Sequence, residues 1–222
     1  QMFAHGLRKR CGKGLDKVGS LFAVTRIPPN LFSSLALVIA AAGAFLFYRH
    51  RYVPAIVCIA AACLWDTIDG GVARAQKKVT KFGYYIEGII DKWVEVIIYL
   101  GFAVSGYALD AFLVISATLM LSFAKPRAAQ VVPIGEHDWP AIGERLERLL
   151  LLNVGLAVFL FVPHVHIGQA TLPTLSIVFR ALFMLILIGG VQRIFYARKI
   201  IRLGGLEKMN VKTRDVFASG RK

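Results

Sequence analysis

The sequence predicts an all-α integral membrane protein with six transmembrane helices, preceded by an N-terminal amphipathic helix that lies in the membrane interface. The 222 residues are 57% hydrophobic and only 18% charged. A soluble domain is about half apolar and about one quarter charged. The additional apolar residues are grouped in long runs, which is typical of membrane-spanning helices. Composition therefore argues against a soluble fold.

Six apolar runs follow a break at Pro28 and Pro29. Proline disfavours helix at the residue before it, so this break separates the N-terminal segment from the first span. The predicted spans are 31–48, 53–75, 82–104, 108–124, 146–163 and 174–196. Without internal repeats, the sequence favours a single domain over 1–222 that consists of a six-span bundle, 31–196, and a basic tail, 197–222.

Residues 5–25 are too short and too polar to span a membrane, but their apolar side chains recur at helical spacing. The apolar positions are Leu7, Cys11, Leu15, Val18 and Phe22. Basic residues flank this stripe, a pattern that is typical of a helix lying in the membrane interface. A helix packed against other protein would show the same pattern.

The distribution of cations predicts the orientation in the membrane. Lys and Arg concentrate before the first span, between the second and third, between the fourth and fifth, and after the sixth. Under the positive-inside rule, this alternation puts both termini and these connections on the cytoplasmic side of a multi-pass cell-membrane protein. The formal charge of +14 then indicates contact with anionic membrane lipids rather than with nucleic acid.

Four acidic residues lie around the connection between the second and third spans. Asp66 and Asp69 are three residues apart, and Glu87 and Asp91 are four apart, so each pair shares one helical face. A hairpin folded near residues 78–79 brings the two pairs together. Four converging carboxylates repel one another unless cations lie between them, and oxygen ligands suit Mg²⁺ or Mn²⁺. The alternative is a structural network with nearby lysines.

Small residues and an arginine accompany the first acidic pair. Gly70, Gly71 and Ala73 remove bulk, so a ligand or a neighbouring helix can approach the backbone. Arg74 follows one turn later and can make a two-pronged contact with phosphate. Metal ligands, small residues and arginine together predict a pyrophosphate site.

The stretch 66–91 resembles the signature of the CDP-alcohol phosphotransferase family, also called the CDP-alcohol phosphatidyltransferase family. That signature reads D-x-x-D-G-x-x-A-R, eight residues, then G-x-x-x-D-x-x-x-D. The matching residues are Asp66, Asp69, Gly70, Ala73, Arg74, Gly83 and Asp91. Glu87 departs from the pattern, which has Asp there. Its extra methylene moves the carboxylate by about one bond length, which matters for Mg²⁺ because this ion demands near-ideal geometry.

The resemblance implies a phospholipid-biosynthesis enzyme that transfers a phosphatidyl-type group from a CDP-linked lipid to the hydroxyl of a polar acceptor and releases CMP. It further implies two Mg²⁺ or Mn²⁺ ions, a homodimer, and Asp91 as general base. The implied metal ligands are Asp66, Asp69, Glu87 and Asp91. The implied contacts to the CDP-linked lipid are Asn30, Asp66, Asp69, Gly70, Ala73, Arg74, Thr80 and Gly83.

Acceptor choice is expected to depend on cations outside the signature. These cations are Lys125, Arg127, Arg145 and Arg148. They resemble the basic Y-x-R-A-R and E-R-x-x-R motifs of the inositol-phosphate branch, although Pro126 departs from it. A phosphorylated polyol needs cations beside its phosphate. Alternatively, these cations bind lipid headgroups and pair in part with Glu144 and Glu147. Glycerol phosphate, serine or another compound remain alternative acceptors.

A divalent-cation transporter is the alternative from another functional class. Intramembrane carboxylates could bind the transported ion. That function gives no role to Gly70, Ala73 and Arg74 together, and the chain has no matching halves of the kind that many transporters show. A catalytically idle relative is a third hypothesis, and it depends on Glu87 alone.

Overall fold

A computed structural model describes residues 29–75, 80–132, 142–167 and 170–203 of the protein. The expected interfacial helix 5–25 and the last residues of the tail lie outside these ranges. Helices dominate the described part. They are α1 (Pro29–Tyr48), α2 (Tyr52–Ala75), α3 (Lys81–Phe102), α4 (Ala108–Ala129), α5 (Arg145–Phe161) and α6 (Thr174–Leu203).

Each apolar run coincides with one helix, but two helices continue beyond the predicted ends. Helix α4 reaches Ala129 rather than 124, and α6 reaches Leu203, inside the segment assigned to the tail. The prediction ended both spans where charged residues begin. Backbone hydrogen bonding continues past that point, and Arg127 and Arg202 in the last turns interact favourably with the helix dipole.

Three short connections join consecutive helices at one end of the bundle. Residues 49–51 link α1 to α2, and a wide helical turn, Ala103–Tyr107, links α3 to α4. Gly106 in that turn has φ +101°, a conformation that glycine adopts without steric cost. Helices joined by such short links pack as antiparallel neighbours.

The third connection contains a β-hairpin that the all-α prediction missed. Strand β1 (His164–Ile167) pairs antiparallel with β2 (Ala170–Pro173), with His164 opposite Pro173 and Ile167 opposite Ala170. The link between the strands is two residues long and begins with glycine, which is a hairpin signal. The prediction treated 164–173 as the loop between the fifth and sixth spans and used its lack of Lys and Arg only to assign its side of the membrane.

Contacts between helices identify the opposite end of the bundle, which we call the site end. The Trp65 indole N–H donates to the Phe32 carbonyl at 2.8 Å, which joins the later part of α2 to the start of α1. Arg193 on α6 donates to the Leu121 carbonyl on α4 at 2.5 Å and lies 3.7 Å from Glu144, which precedes α5. The middle of α3 joins them through ion pairs with the first turn of α5. Every segment that carries a predicted site residue therefore lies at this end.

Helix α1 packs along both α2 and α3, while α6 packs against α4 and α5. Aromatic rings fill the core away from the site end: Phe47 lies 4.8 Å from Phe102, which lies 5.1 Å from Phe179, measured between ring centroids. The aromatic cluster ties α1, α3 and α6 together by burial of large apolar surfaces.

The outward faces of the helices are apolar. Val38, Phe112 and Ile194 are each more than half exposed. Three helical segments of the described part are long and apolar enough to cross a membrane: Leu31–Tyr48, Lys81–Ala129 and Thr174–Arg202. The second of these covers two consecutive helices, α3 and α4. A hydrophobic exterior of this kind is expected of a protein surrounded by lipid.

Gly101 allows the close approach of α3 to α1. A Cβ atom at this position would lie 2.7 Å from the Ala44 Cα atom. We therefore expect Gly101→Ala to destabilise the protein by about 1–3 kcal/mol through overpacking, measured as thermal unfolding in detergent. Gly88→Ala is the matched control, because a Cβ there meets nothing within 4 Å. Equal stability of the two variants would contradict the proposed helix contact.

Candidate active site

The first acidic pair lies in the last part of α2. The sequence predicts that this helix continues through the motif to about residue 75, and the structure confirms it, since α2 ends at Ala75. Asp66 and Asp69 are therefore about one helical turn apart along the backbone. The side chains of residues 66–75, including Gly70, Ala73 and Arg74, lie outside the described part.

An interaction between α1 and α2 fixes the position of this segment. The Phe32 and Trp65 rings stack with centroids 4.6 Å apart, and the Trp65 indole N–H donates to the Phe32 carbonyl. Trp65 directly precedes Asp66, and Asn30 is two residues before Phe32. The contact holds the start of α1 beside the first acidic pair, while the Asn30 side chain itself is outside the described part.

Thr80 and Gly83 form the N-terminal cap of α3. The Thr80 side-chain oxygen accepts a hydrogen bond from the Gly83 backbone N–H at 2.9 Å. This cap satisfies an N–H group that has no partner within the helix. A threonine hydroxyl that accepts one hydrogen bond retains its own proton for donation to a ligand.

The second acidic pair lies on the first half of α3. Glu87 and Asp91 are four residues apart on one helical face, and both are partly buried. The Asp91 Oδ2 atom lies 2.5 Å from the Arg145 Nη1 atom, with the two side chains 19% and 22% exposed. This contact brings the start of α5 against the acidic face of α3.

The chemistry of the donor atoms fits a hard divalent cation. Glu87 and Asp91 provide carboxylate oxygens only, and one turn of helix separates them. Mg²⁺ and Mn²⁺ prefer such oxygen ligands. Among residues with described side chains, no group of three or more His, Cys, Asp or Glu could hold a metal. Asp66 and Asp69, the other two ligands that the sequence predicts, have side chains outside the described part.

A buried ion cluster extends the acidic face one turn further. Glu95 is 2% exposed, and both of its carboxylate oxygens lie 3.1 Å from the Arg148 Nη2 atom. Lys92 Nζ lies 3.1 Å from Glu95 Oε1, and Arg145 Nε lies 3.7 Å from the same oxygen. Glu95 is thus surrounded by three cations, which compensate for the loss of its hydration.

The predicted acceptor cations occupy different environments. Arg145 contacts Asp91, whereas Arg148 is 4% exposed and donates to the Gly143 carbonyl at 2.7 Å as well as to Glu95. Lys125 is partly buried near the end of α4, and Arg127 is exposed and donates to Gln130 at 2.8 Å. Arg145 is directly joined to the acidic motif through Asp91.

Two charged residues of this region were not identified from the sequence. Glu95 continues the four-residue spacing of Glu87 and Asp91, and that periodicity is the signal that could have identified it. Arg193 is buried and joins α4 to the residue before α5. A cation inside an apolar run was its only sequence signal, and its partners are far away along the chain.

The chain is similar to known proteins along most of its length. Residues 26–191 match the CDP-alcohol phosphatidyltransferase family profile. The archaetidylinositol phosphate synthase of Pyrococcus horikoshii is 26% identical over 204 residues, which cover 89% of this chain and 98% of the relative. The enzyme of the same name from Methanothermobacter thermautotrophicus is 26% identical over 140 residues, 62% of this chain and 70% of the relative.

A solved structure shares the fold. It is the phosphatidylinositol phosphate synthase of Mycobacterium tuberculosis with CDP-DAG bound, at a TM-score of 0.68 and 21% identity. The similarity covers 82% of this chain and 92% of the other. A structure of the same mycobacterial enzyme with manganese and citrate has a TM-score of 0.67 and 22% identity, with 82% and 88% covered.

Proposed function

On the premise that the chain belongs to the CDP-alcohol phosphatidyltransferase family, we propose that it transfers a phosphatidyl-type group to the hydroxyl of inositol phosphate. Membership of this family identifies the chain as a membrane protein and a metal-dependent transferase that releases CMP from a CDP-linked donor. The names of its archaeal relatives support the acceptor. The observation that carries the proposal is the 2.5 Å contact between Asp91 and Arg145. It supports a role for Arg145 in binding the acceptor's phosphate beside Asp91, the proposed general base.

Asp66, Asp69, Glu87 and Asp91 would hold two Mg²⁺ or Mn²⁺ ions. When bound, such ions neutralise the pyrophosphate and stabilise the departing CMP. The oxygen-only donors of α3 and the helical spacing of the α2 pair support this assignment. Glu87 contributes a longer side chain than the aspartate of the family signature, so its carboxylate reaches further from the α3 backbone.

The donor's CDP portion would lie between the ends of α1, α2 and α3. Gly70, Ala73 and Gly83 leave room for it, and Arg74 provides a two-pronged contact to phosphate. Thr80 can donate its hydroxyl proton while it caps α3. Asn30 is held near this space by the contact between Phe32 and Trp65.

In the proposed chemical step, one proton is transferred, one P–O bond forms and another P–O bond breaks. Asp91 accepts the proton of the acceptor hydroxyl, and the resulting oxygen attacks the phosphorus that carries the lipid alcohol. The bond from that phosphorus to CMP breaks, so the products are a phosphodiester and CMP. Arg145 and Lys125 would hold the acceptor's phosphate, and Arg127 would lie at the edge of the acceptor site. Arg148 would support Arg145 through Glu95.

We propose six transmembrane spans in one domain, with both termini and the site end in the cytoplasm. The connections 103–107 and 164–173 support this topology because they contain no Lys or Arg, whereas 49–51 contains Arg49 and Arg51. The site end is rich in Lys and Arg, as the positive-inside rule requires of a cytoplasmic face. The interfacial helix 5–25 and a homodimer complete the proposal, and both depend on sequence pattern and family resemblance.

An acceptor panel tests the proposal. Purified protein receives CDP-lipid and Mg²⁺ or Mn²⁺ with inositol phosphate, glycerol phosphate, serine or free inositol, and CMP release is measured. We expect CMP release to require inositol phosphate. Arg145→Gln should raise the KM for inositol phosphate by about tenfold or more, because a charged hydrogen bond contributes about 1.5–3 kcal/mol, and should leave the KM for CDP-lipid within about twofold.

Arg180→Gln is the matched control, since Arg180 is 61% exposed and pairs with Asp110 far from the site end. It should leave both KM values unchanged. Equal effects of Arg145→Gln on both substrates would contradict the acceptor assignment. Metal-dependent ion flux without CMP release would instead support a cation transporter.

A further inference from the structure

We propose that Glu95 is a positioning residue that divides the Arg145 guanidinium between Asp91 and the acceptor's phosphate. The part of this proposal that concerns the acceptor's phosphate depends on the proposed function. The effect of Glu95 on Asp91 can be tested without any substrate. Glu95 is not part of the family signature described above, and the chemical step uses none of its atoms. Its importance follows from the side chains that it contacts.

The geometry makes Arg145 a shared group. Its Nη1 atom lies 2.5 Å from Asp91 Oδ2, and its Nε atom lies 3.7 Å from Glu95 Oε1. Asp91 and Glu95 are one helical turn apart on α3, so one guanidinium bridges both carboxylates. Any change in its attraction to one carboxylate changes the other contact.

Glu95 itself is held firmly. It is 2% exposed, and Arg148 and Lys92 approach its carboxylate at 3.1 Å. Arg148 is anchored in turn by the Gly143 carbonyl at 2.7 Å. A carboxylate with fixed partners keeps a constant position. Glu95 can therefore serve as a stationary anchor toward which Arg145 withdraws.

The Arg145 guanidinium and a divalent cation bound at Asp91 would share one carboxylate, and their positive charges would repel each other. A cation at Asp91 would therefore weaken the contact with Arg145 and favour a position of Arg145 closer to Glu95, the carboxylate that it already approaches. In that position its remaining N–H groups become available to the acceptor's phosphate. Loss of the Glu95 charge would leave Arg145 more strongly bound to Asp91 and would oppose cation binding.

Mn²⁺ binding to the purified full-length protein, measured by electron paramagnetic resonance without substrates, tests the proposal. A double-mutant cycle distinguishes an effect of Glu95 that is transmitted by Arg145 from a direct electrostatic effect of the Glu95 charge on the bound cation. We expect Glu95→Gln to raise the Mn²⁺ Kd by about fivefold in the natural sequence and by less than about twofold in an Arg145→Gln background. Arg145→Gln alone should lower the Kd. Asp110→Asn, a control at the far end of the bundle, should leave it unchanged.

An equal effect of Glu95→Gln on the Mn²⁺ Kd in both backgrounds would overturn the proposal. The Glu95 charge would then act directly on the cation and not through Arg145. Should Glu95→Gln fail to fold, Glu95→Gln with Arg148→Met removes both buried charges together, and the same rise in Kd is expected.

Kinetics provide the second readout. Glu95→Gln should raise the KM for inositol phosphate about tenfold with the KM for CDP-lipid unchanged, and Glu95→Asp should restore it at least partly.

The two proposals fail in different ways. If the natural protein releases no CMP with any acceptor, the proposed function is wrong while the Mn²⁺ cycle still decides the link from Glu95 to Asp91. If CMP is released but both KM values rise together in Glu95→Gln, with no rescue by Glu95→Asp, Glu95 has only a structural role.

Discussion

Asp91→Asn is expected to lower the rate of CMP release by about a thousandfold or more. The carboxamide has no basic oxygen to accept the acceptor's proton, and general base catalysis alone contributes about 10²–10⁴-fold. The substitution also removes a charged ligand from the proposed cation site. Single-turnover CMP release at saturating CDP-lipid, inositol phosphate and Mn²⁺ measures this effect.

Asp110→Asn is the matched control for Asp91→Asn. Asp110 is also a partly buried helical aspartate that pairs with an arginine, Arg180 at 3.4 Å, but it lies at the end of the bundle opposite the site end. It should retain activity within about twofold, as expected of a substitution away from the reacting groups. If Asp91→Asn kept more than a tenth of the activity, Asp91 would not be the base.

Arg148→Ala is expected to destabilise the protein by about 3–5 kcal/mol, the typical cost of removing one partner from a buried ion pair. Glu95 would lose its closest guanidinium while only 2% exposed, and the Gly143 carbonyl would lose its donor. Thermal unfolding in detergent should show a decrease in Tm of about 6–20 °C for a protein of this size.

Arg180→Ala controls for the loss of an arginine, since the Arg180 side chain is 61% exposed, and it should change stability by less than about 1 kcal/mol. Replacing both buried partners, Arg148→Met with Glu95→Gln, should recover much of the lost stability because no charge is left alone. A single and a double variant of equal stability would contradict the structural role of this pair.

Local sequence periodicity was sufficient to predict the helices and the acidic motif. Apolar runs predicted the six helices of the described part. The run that ends at Asp66 is too short to span a membrane alone, so the second helix was predicted to continue through the motif, as it does to Ala75. Each of these features depends on neighbouring residues along the chain. The β-hairpin 164–173 was missed because it is short and its register depends on a two-residue link.

The ion cluster could not be predicted for a different reason. Arg148 was expected to pair, if at all, with Glu144 or Glu147, but its partner is Glu95, 53 residues away. Helix-to-helix contacts of this kind depend on how α3 and α5 rotate against each other, which periodicity does not determine. Arg193 likewise reaches Leu121 across 72 residues. Sequence spacing therefore indicates which residues share one helical face, whereas pairing between distant helices requires the structure.

Anomalous diffraction from crystals grown with Mn²⁺ and CDP-lipid tests most directly whether the two acidic pairs share divalent cations. We expect two Mn²⁺ peaks between the end of α2 and the start of α3, with carboxylate oxygens of Asp66, Asp69, Glu87 and Asp91 as ligands. Arg145 should then lie closer to Glu95 than to Asp91. Crystals that bind CDP-lipid while Mn²⁺ lies elsewhere, or while the four carboxylates point apart, would contradict the account.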